Sequence, residues 1–199
     1  MQSNIFKQRL DKLNIAVFDL ETTGLSPTKD HILQIALVHI NKGALSGREC
    51  EWKVNPGDNI EIPEEILALT GLDEKELRAA PCLAEVFPQF GEAVGNSIVA
   101  GHNVKRFDLR FIRTAERRFS MNGNKYYIDT CLLSRRLKPK QANHKLETCA
   151  RAYGLEFDAG SLHDALADTR LCARLLLHQL ETLRARGVHT FKDLITFLS

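Results

Sequence analysis

Apolar positions follow two rhythms along this chain. In the first quarter they come as short blocks, at 14–20, 31–40 and 45–54, separated by breaker-rich stretches at 24–30 and 41–43. Such blocks predict three strands, the last two joined as a hairpin. Beyond residue 60 the spacing lengthens to three and four. A helix is expected over 63–70, with Pro63 at its start and Gly71 ending it, and another over 82–94 with a kink at Pro88. Short strands at 97–100 and 125–128 alternate with a long helix over 104–119 and with helices beginning near 129, 143 and 164. Residues 1–13, with Ile5, Phe6, Leu10 and Leu13 on one side, suggest an amphipathic lead-in helix. Residues 190–199 suggest a terminal helix capped by Thr190.

Tightly connected strands followed by alternating strands and helices imply an α/β fold, a mixed sheet flanked by helices. Its 199 residues suit one compact core, divided here into a lead-in at 1–13, a central domain at 14–185 and a helical extension at 186–199. The net charge of +2 is uninformative, but its distribution is not: 58–78 holds seven acids and two bases, while 130–146 holds five bases and no acid. This separation is compatible with a polyanion meeting one side. The five cysteines are scattered and show no metal-ligand spacing, as expected of reduced thiols in a cytoplasmic protein. No stretch approaches the ~20 apolar residues of a membrane span, and the amino terminus has no signal-peptide character, so a membrane partner is not expected.

Three places carry chemistry. Asp19-Leu-Glu-Thr-Thr-Gly24 ends the first apolar block, and a strand turns Asp19 and Glu21 to one face. Two acids at the end of an apolar strand ask for a neutralising cation, and a hard divalent ion is the usual one. The small residues Thr22, Thr23 and Gly24 let backbone N–H groups approach a ligand; a solvated turn is the plainer reading. In Gly101-His-Asn-Val-Lys-Arg-Phe-Asp108 a strand passes into a helix whose apolar stripe carries Asp108 to its core-facing edge. Arg106, Arg110, Arg113 and Arg117 occupy another face, as a solvated stripe or a phosphate track. In His163-Asp-Ala-Leu-Ala-Asp168 the five-residue interval sets His163 just ahead of a helix and Asp168 one turn inside it. That arrangement suits a base that must reach a water beside a metal held by the more rigid Asp168, whereas Asp164 suits a first-turn acid facing the helix dipole.

Together DLETTGL, GHNVKRFDLRFI and HDALAD resemble the three motifs of the DEDDh branch of the DnaQ-like 3′→5′ exonucleases, a family that includes the epsilon proofreading subunit of bacterial DNA polymerase III. Ile62-Pro-Glu, Leu69-Thr-Gly71-Leu and Ile128-Asp-Thr130 add to the likeness, which spans about 15–180. The resemblance implies an RNase H-like fold with a five-stranded mixed sheet. It also implies two divalent ions, Mg²⁺ or Mn²⁺, held by Asp19, Glu21, Asp108 and Asp168, with His163 deprotonating the attacking water. Leu25 matches a position that packs on terminal bases, and Asn103 one beside the scissile end; each also has a bland reading, as does His102, which can simply satisfy backbone groups. Asp129 matches the family's Asp-Thr pair and suits a helix cap better than a ligand. Gln34 departs from the glutamate common in relatives, away from the inferred metals.

The expected substrate is a nucleic-acid 3′ end, single-stranded or frayed DNA, with a polymerase or replication partner required for proofreading. An exoribonuclease of the RNase T or oligoribonuclease type would use the same chemistry. A silent nucleic-acid-binding module would be suggested by loss of one of the five residues, and all five are present. Gln179-Leu-Glu-Thr-Leu183 faintly resembles a sliding-clamp peptide but lies in a predicted helix.

Overall fold

The computed structural model describes residues 2–123, 126–158, 160 and 164–199. Five strands, β1 (Asn14–Thr22), β2 (Ile32–Asn41), β3 (Ala44–Lys53), β4 (Ile98–Gly101) and β5 (Tyr127–Asp129), form one sheet in the order β3-β2-β1-β4-β5. β1–β2 and β2–β3 are antiparallel, while β1–β4 and β4–β5 are parallel. The mixed five-stranded sheet is therefore present, with helices on both faces.

β1 is central because its first half is apolar on both sides. Ile15 and Val17 pack with Leu176, Leu180 and Leu183 of α7 (Ala165–Ala185). Ala16, Phe18 and Leu20 pack on the other face with Phe87 and Phe90 of α3 (Leu83–Val94) and Phe111 and Ile112 of α4 (Asp108–Arg118). Each fully buried Leu or Phe contributes about 1.5–3 kcal/mol of transfer free energy. β3 is an outer strand, exposed over most of its length, and Arg48, Glu49, Glu51 and Lys53 discourage edge-to-edge pairing there.

Several boundaries differ from expectation. The lead-in is two short 3₁₀ turns, Gln2–Lys7 and Leu10–Lys12, because Arg9 pairs with Thr190 as an isolated bridge and interrupts the helix. Leu10 N–H donates to His189 O (2.8 Å) and Phe191 N–H to Gln8 O (2.9 Å), joining the two ends of the chain. Phe6 lies edge-on to Tyr126 at 5.3 Å and beside Phe191 of α8 (Phe191–Leu198), which is wholly buried. α1 (Glu64–Thr70) ends at Gly71 in the left-handed region, as its sequence predicts. An unpredicted six-residue helix, α2 (Glu74–Ala79), follows, capped by Asp73. α3 continues through Pro88. α4 begins at Asp108, four residues late, because Asn103 adopts φ 59° and the chain turns through 102–107. β5 starts at Tyr127; Lys125 of the predicted strand lies outside the described residues.

α5 (Thr130–Leu137), α6 (Leu146–Arg151) and α7 complete the fold. Gln179 is buried in α7 and donates to Thr130 O at 2.9 Å, so the 179–183 segment is committed to the core. All five cysteines are unbridged, and three of them, Cys131, Cys149 and Cys172, are buried. Among the described residues no helix is long and apolar enough to cross a membrane.

Candidate active site

The parallel strands β1, β4 and β5 end at one edge, at Thr22, Gly101 and Asp129. In open α/β sheets that edge is where connections diverge and ligands fit. β1 changes character as it arrives. Phe18, Leu20 and Thr22 are buried, while Asp19 and Glu21 are half-buried on the opposite face. Asp19 stands opposite Ala36 and Glu21 opposite Gln34, with a register shift just after Glu21.

Asp108 opens α4 and is only 2% exposed. Its Oδ1 accepts the Leu20 N–H at 3.2 Å, which ties the helix to the β1 residue lying between the two acids. Asp168 sits in the first turn of α7, where Asp164 caps the helix by accepting Ala167 N–H at 2.7 Å. Asp164, expected as a first-turn acid, instead stands one residue ahead of the helix as its N-cap.

Four acids from three distant segments therefore share one field. Burial first, then Asp108, Glu21 and Asp168, drives the Asp19 carboxyl well above the usual carboxylate range. Burial, then Asp168, Asp108 and Asp164, pushes Glu21 up to about 8. Burial pushes Asp108 up to about 7 against the opposing pull of its own N–H and that of Leu20, and Asp129 adds to the rise. Closely placed acids that hold their protons this firmly are characteristic of functional sites. An all-oxygen donor set that repels itself when ionised fits a hard divalent cation. Among the described residues no three Asp, Glu, His or Cys side chains are already closed to metal-ligand spacing, so the acids act on one another through their fields without forming a finished cage.

The rim is built from the turn after β1. Thr22 Oγ1 donates to Gly24 O (2.7 Å), Thr23 Oγ1 accepts His31 N–H (2.9 Å), and both threonines are buried. Their hydroxyls hold the turn. At Gly24 a Cβ would come within 2.7 Å of the Asp30 carboxylate, so a larger residue would have to displace that side chain. The turn presents Leu25, 78% exposed. Across the edge, Asn103 is exposed, while the His102 ring is enclosed: Nε2 meets His144 O at 2.8 Å and Nδ1 meets Thr130 Oγ1 at 2.8 Å. A carbonyl can only accept, so Nε2 carries the proton and Nδ1 accepts. Burial lowers the pKa of His102 and favours this neutral ring. His163 lies outside the described residues.

Several candidate phosphate contacts already have internal partners. Arg113 pairs with Glu116 at 2.7 Å, and Arg117 donates to Thr114 Oγ1 at 3.0 Å. Lys138 donates to Ala152 O at 2.7 Å and stands 4.5 Å over the Tyr153 ring. Asp129 was legible as a cap and does accept Cys131 and Leu132 N–H groups, but its bonds to Asn103 and Lys105 N–H were not. They depend on β5 lying beside β4, with Gly101 opposite Asp129, which no local spacing reveals.

Comparison with known proteins agrees with the fold. The chain is 36% identical over 197 residues to a DNA polymerase III subunit epsilon-like protein of Rhodobacter capsulatus, covering 98% of this chain and 28% of that protein. It is 33% identical to a DNA polymerase III of the PolC type from Caldanaerobacter subterraneus, covering 92% of this chain and 13% of that protein. The chain thus spans less than a third of either relative. In fold it is similar to E. coli exonuclease I solved in complex with a dT13 oligonucleotide, with a TM-score of 0.74, 20% identity, and coverage of 88% of this chain and 43% of that one. The exonuclease family model RNase_T matches residues 16–176, from the first buried residues of β1 to the middle of α7, and the chain belongs to that family.

Proposed function

We propose that this chain is a DEDDh-type 3′→5′ exonuclease that removes nucleoside 5′-monophosphates from single-stranded or frayed DNA ends. The observation that carries the reading is the convergence of Asp19, Glu21, Asp108 and Asp168 at the ends of the parallel strands, where burial raises the first three and the neighbouring acids of the set add to the rise at Asp19 and Glu21. Those four would hold two divalent ions, Mg²⁺ or Mn²⁺. Bound there, such ions supply an acidified water and charge stabilisation at the attacking and leaving oxygens. The protein's own part is positioning: Leu20 N–H holds Asp108 in place, and the Asp164 cap fixes the start of the helix that carries Asp168. His163, next to that cap in sequence, is the proposed general base, suited to taking a proton near neutrality. Leu25, the most exposed large apolar side chain described, would rest against the terminal base, and Asn103 beside the last phosphodiester. Thr22 and Thr23 would contribute by shaping the turn beneath the end of the strand.

The catalytic unit is proposed to span 14–185, with 1–13 and 186–199 as an added brace. DNA is favoured because the relatives in sequence are named for DNA polymerase III. Service to a polymerase would follow the same analogy. The test is a parallel digestion, with Mg²⁺ or Mn²⁺, of matched single-stranded DNA, duplex DNA with a mismatched 3′ end, and RNA. Mononucleotide release is expected to be fastest from single-stranded DNA, slower from the mismatched end and slowest from RNA. Fastest release from RNA would replace the DNA reading with the exoribonuclease one. No release from any of the three would defeat the nuclease reading.

A further inference from the structure

The turn that delivers Asp108 is tied to its own helix through backbone alone, with Leu109 N–H donating to Val104 O and Arg110 N–H to Phe107 O, both at 2.9 Å. α4 has no side-chain N-cap; Phe107 occupies that place, and the residues before it pass through the left-handed Asn103. Nor is there slack nearby, since a Cβ at Gly101 would lie 2.9 Å from both Phe18 O and Val104 Cγ2. The side-chain support of the turn comes from the neighbouring strand. Asp129, 1% exposed, ends β5 directly opposite Gly101. Its Oδ1 accepts N–H groups from Asn103 (3.1 Å), Cys131 (3.0 Å) and Leu132 (3.2 Å), and its Oδ2 accepts Lys105 N–H (3.2 Å). Two of these bonds cap α5, and the other two reach across to the turn. Thr130 adds a second hook, its hydroxyl donating to the His102 ring at 2.8 Å.

We propose that Asp129 is a positioning residue for the exonuclease reaction: a single buried carboxylate that staples the 103–105 turn to the start of α5 and so fixes where Asp108 stands against β1. The inference rests on the exonuclease reading above. A cap needs only one oxygen aimed at its own helix. Four N–H groups from two segments need both oxygens of a carboxylate, which an amide or hydroxyl cannot supply. Displacement of a reacting constellation by about 1 Å can lower a rate by about 10²-fold, so a staple remote from substrate acts on kcat.

Asp129→Ser separates the two roles. Its single hydroxyl can cap Cys131 and Leu132, but it has no counterpart of Oδ2 for Lys105 N–H, and once turned to its own helix it leaves Asn103 N–H, which shares Oδ1 with the cap, without that acceptor. Asp73→Ser in α2, a cap with the same two-amide pattern and no second segment, is the control. The measurements are kcat and KM on a single-stranded oligonucleotide, and amide hydrogen exchange over 101–107 and 131–132 without metal or substrate. Asp129→Ser is expected to lower kcat by about tenfold or more with KM within about twofold, and to speed exchange at 103–105 while 131–132 stay protected. Asp129→Asn, which keeps one oxygen, should fall between and serves if the serine variant does not fold. Asp73→Ser should leave kcat unchanged. Unchanged exchange at 103–105, or faster exchange with kcat within twofold of wild type, overturns the proposal. A wild type inert on every substrate defeats the exonuclease reading instead, and the exchange data then still decide whether Asp129 holds the turn.

Discussion

The two ends of β1 are built on opposite principles. At its start Ile15, Ala16 and Val17 are fully enclosed, and nearby the chain termini close over one another through Leu10, Phe6 and Phe191, with the crossing backbone groups hydrogen-bonded. At its finish the same strand carries Asp19 and Glu21 into a cluster of carboxylates that destabilise one another's ionised forms. One end lowers the free energy of the fold, and the other holds groups whose charges the fold alone does not balance. The lesson is a division of labour along nine residues, in which packing at one end tolerates strain at the other.

Mutations should expose that division. The largest effect on activity is expected at the acidic end: Asp19→Asn should lower exonuclease turnover by at least about 10²-fold. The melting temperature of its metal-free form should stay level or rise, because asparagine has no carboxyl that must take up a proton on folding. A large loss of stability there would erase the contrast. The brace should behave in the reverse manner. Phe191→Ala should cost about 3–5 kcal/mol in denaturant unfolding and leave kcat within about twofold at temperatures where the protein is folded. Loss of kcat in step with stability would mean that the two ends are not separable.

A subtler contrast appears with pH. Folded Glu21 and Asp108 keep their protons up to about 8 and about 7, whereas unfolded carboxyls lose theirs near 4. The folded state therefore binds more protons between those limits. The associated stability is fully present below about pH 4 and is lost as pH rises through the folded values. Metal-free wild type should lose melting temperature from pH 5 to 8 more steeply than Glu21→Gln, and Mg²⁺ should restore it most at pH 8. Parallel slopes would contradict the cluster. The smallest effect belongs to the α8 cap: Thr190→Ala, which removes one side of the Thr190–Asp193 capping box, should cost roughly 0.5–2 kcal/mol and no activity, read from urea midpoints.

Much of this was legible before any coordinates. Apolar blocks located the strands, turn residues marked the stops at Gly71 and near Gly43, and short polar side chains marked the caps at Asp129 and Thr190. Asp19 and Glu21 could be paired from strand geometry alone. The start of α4 was misread because Val104 and Phe107 keep a helical rhythm while the backbone turns beneath them, Val104 being buried from the turn itself. The lead-in helix failed because pairing with Thr190, some 180 residues away, outweighed local periodicity. α2 escaped notice because six residues are too few to show a period. The meeting of Asp19, Asp108 and Asp168 depends on crossovers between parallel strands, and only the family motifs anticipated it.

The acidic end of β1 is proposed above as a metal-dependent 3′-end nuclease site. Its most direct test is a time course of a 5′-labelled single-stranded DNA with Mg²⁺ at pH 8, wild type beside Asp19→Asn. The prediction is a ladder shortening one nucleotide at a time from the 3′ end, abolished by chelator and nearly absent in the variant. Loss of the label as a mononucleotide from the 5′ end, internal cuts, or equal rates for the two proteins would contradict it.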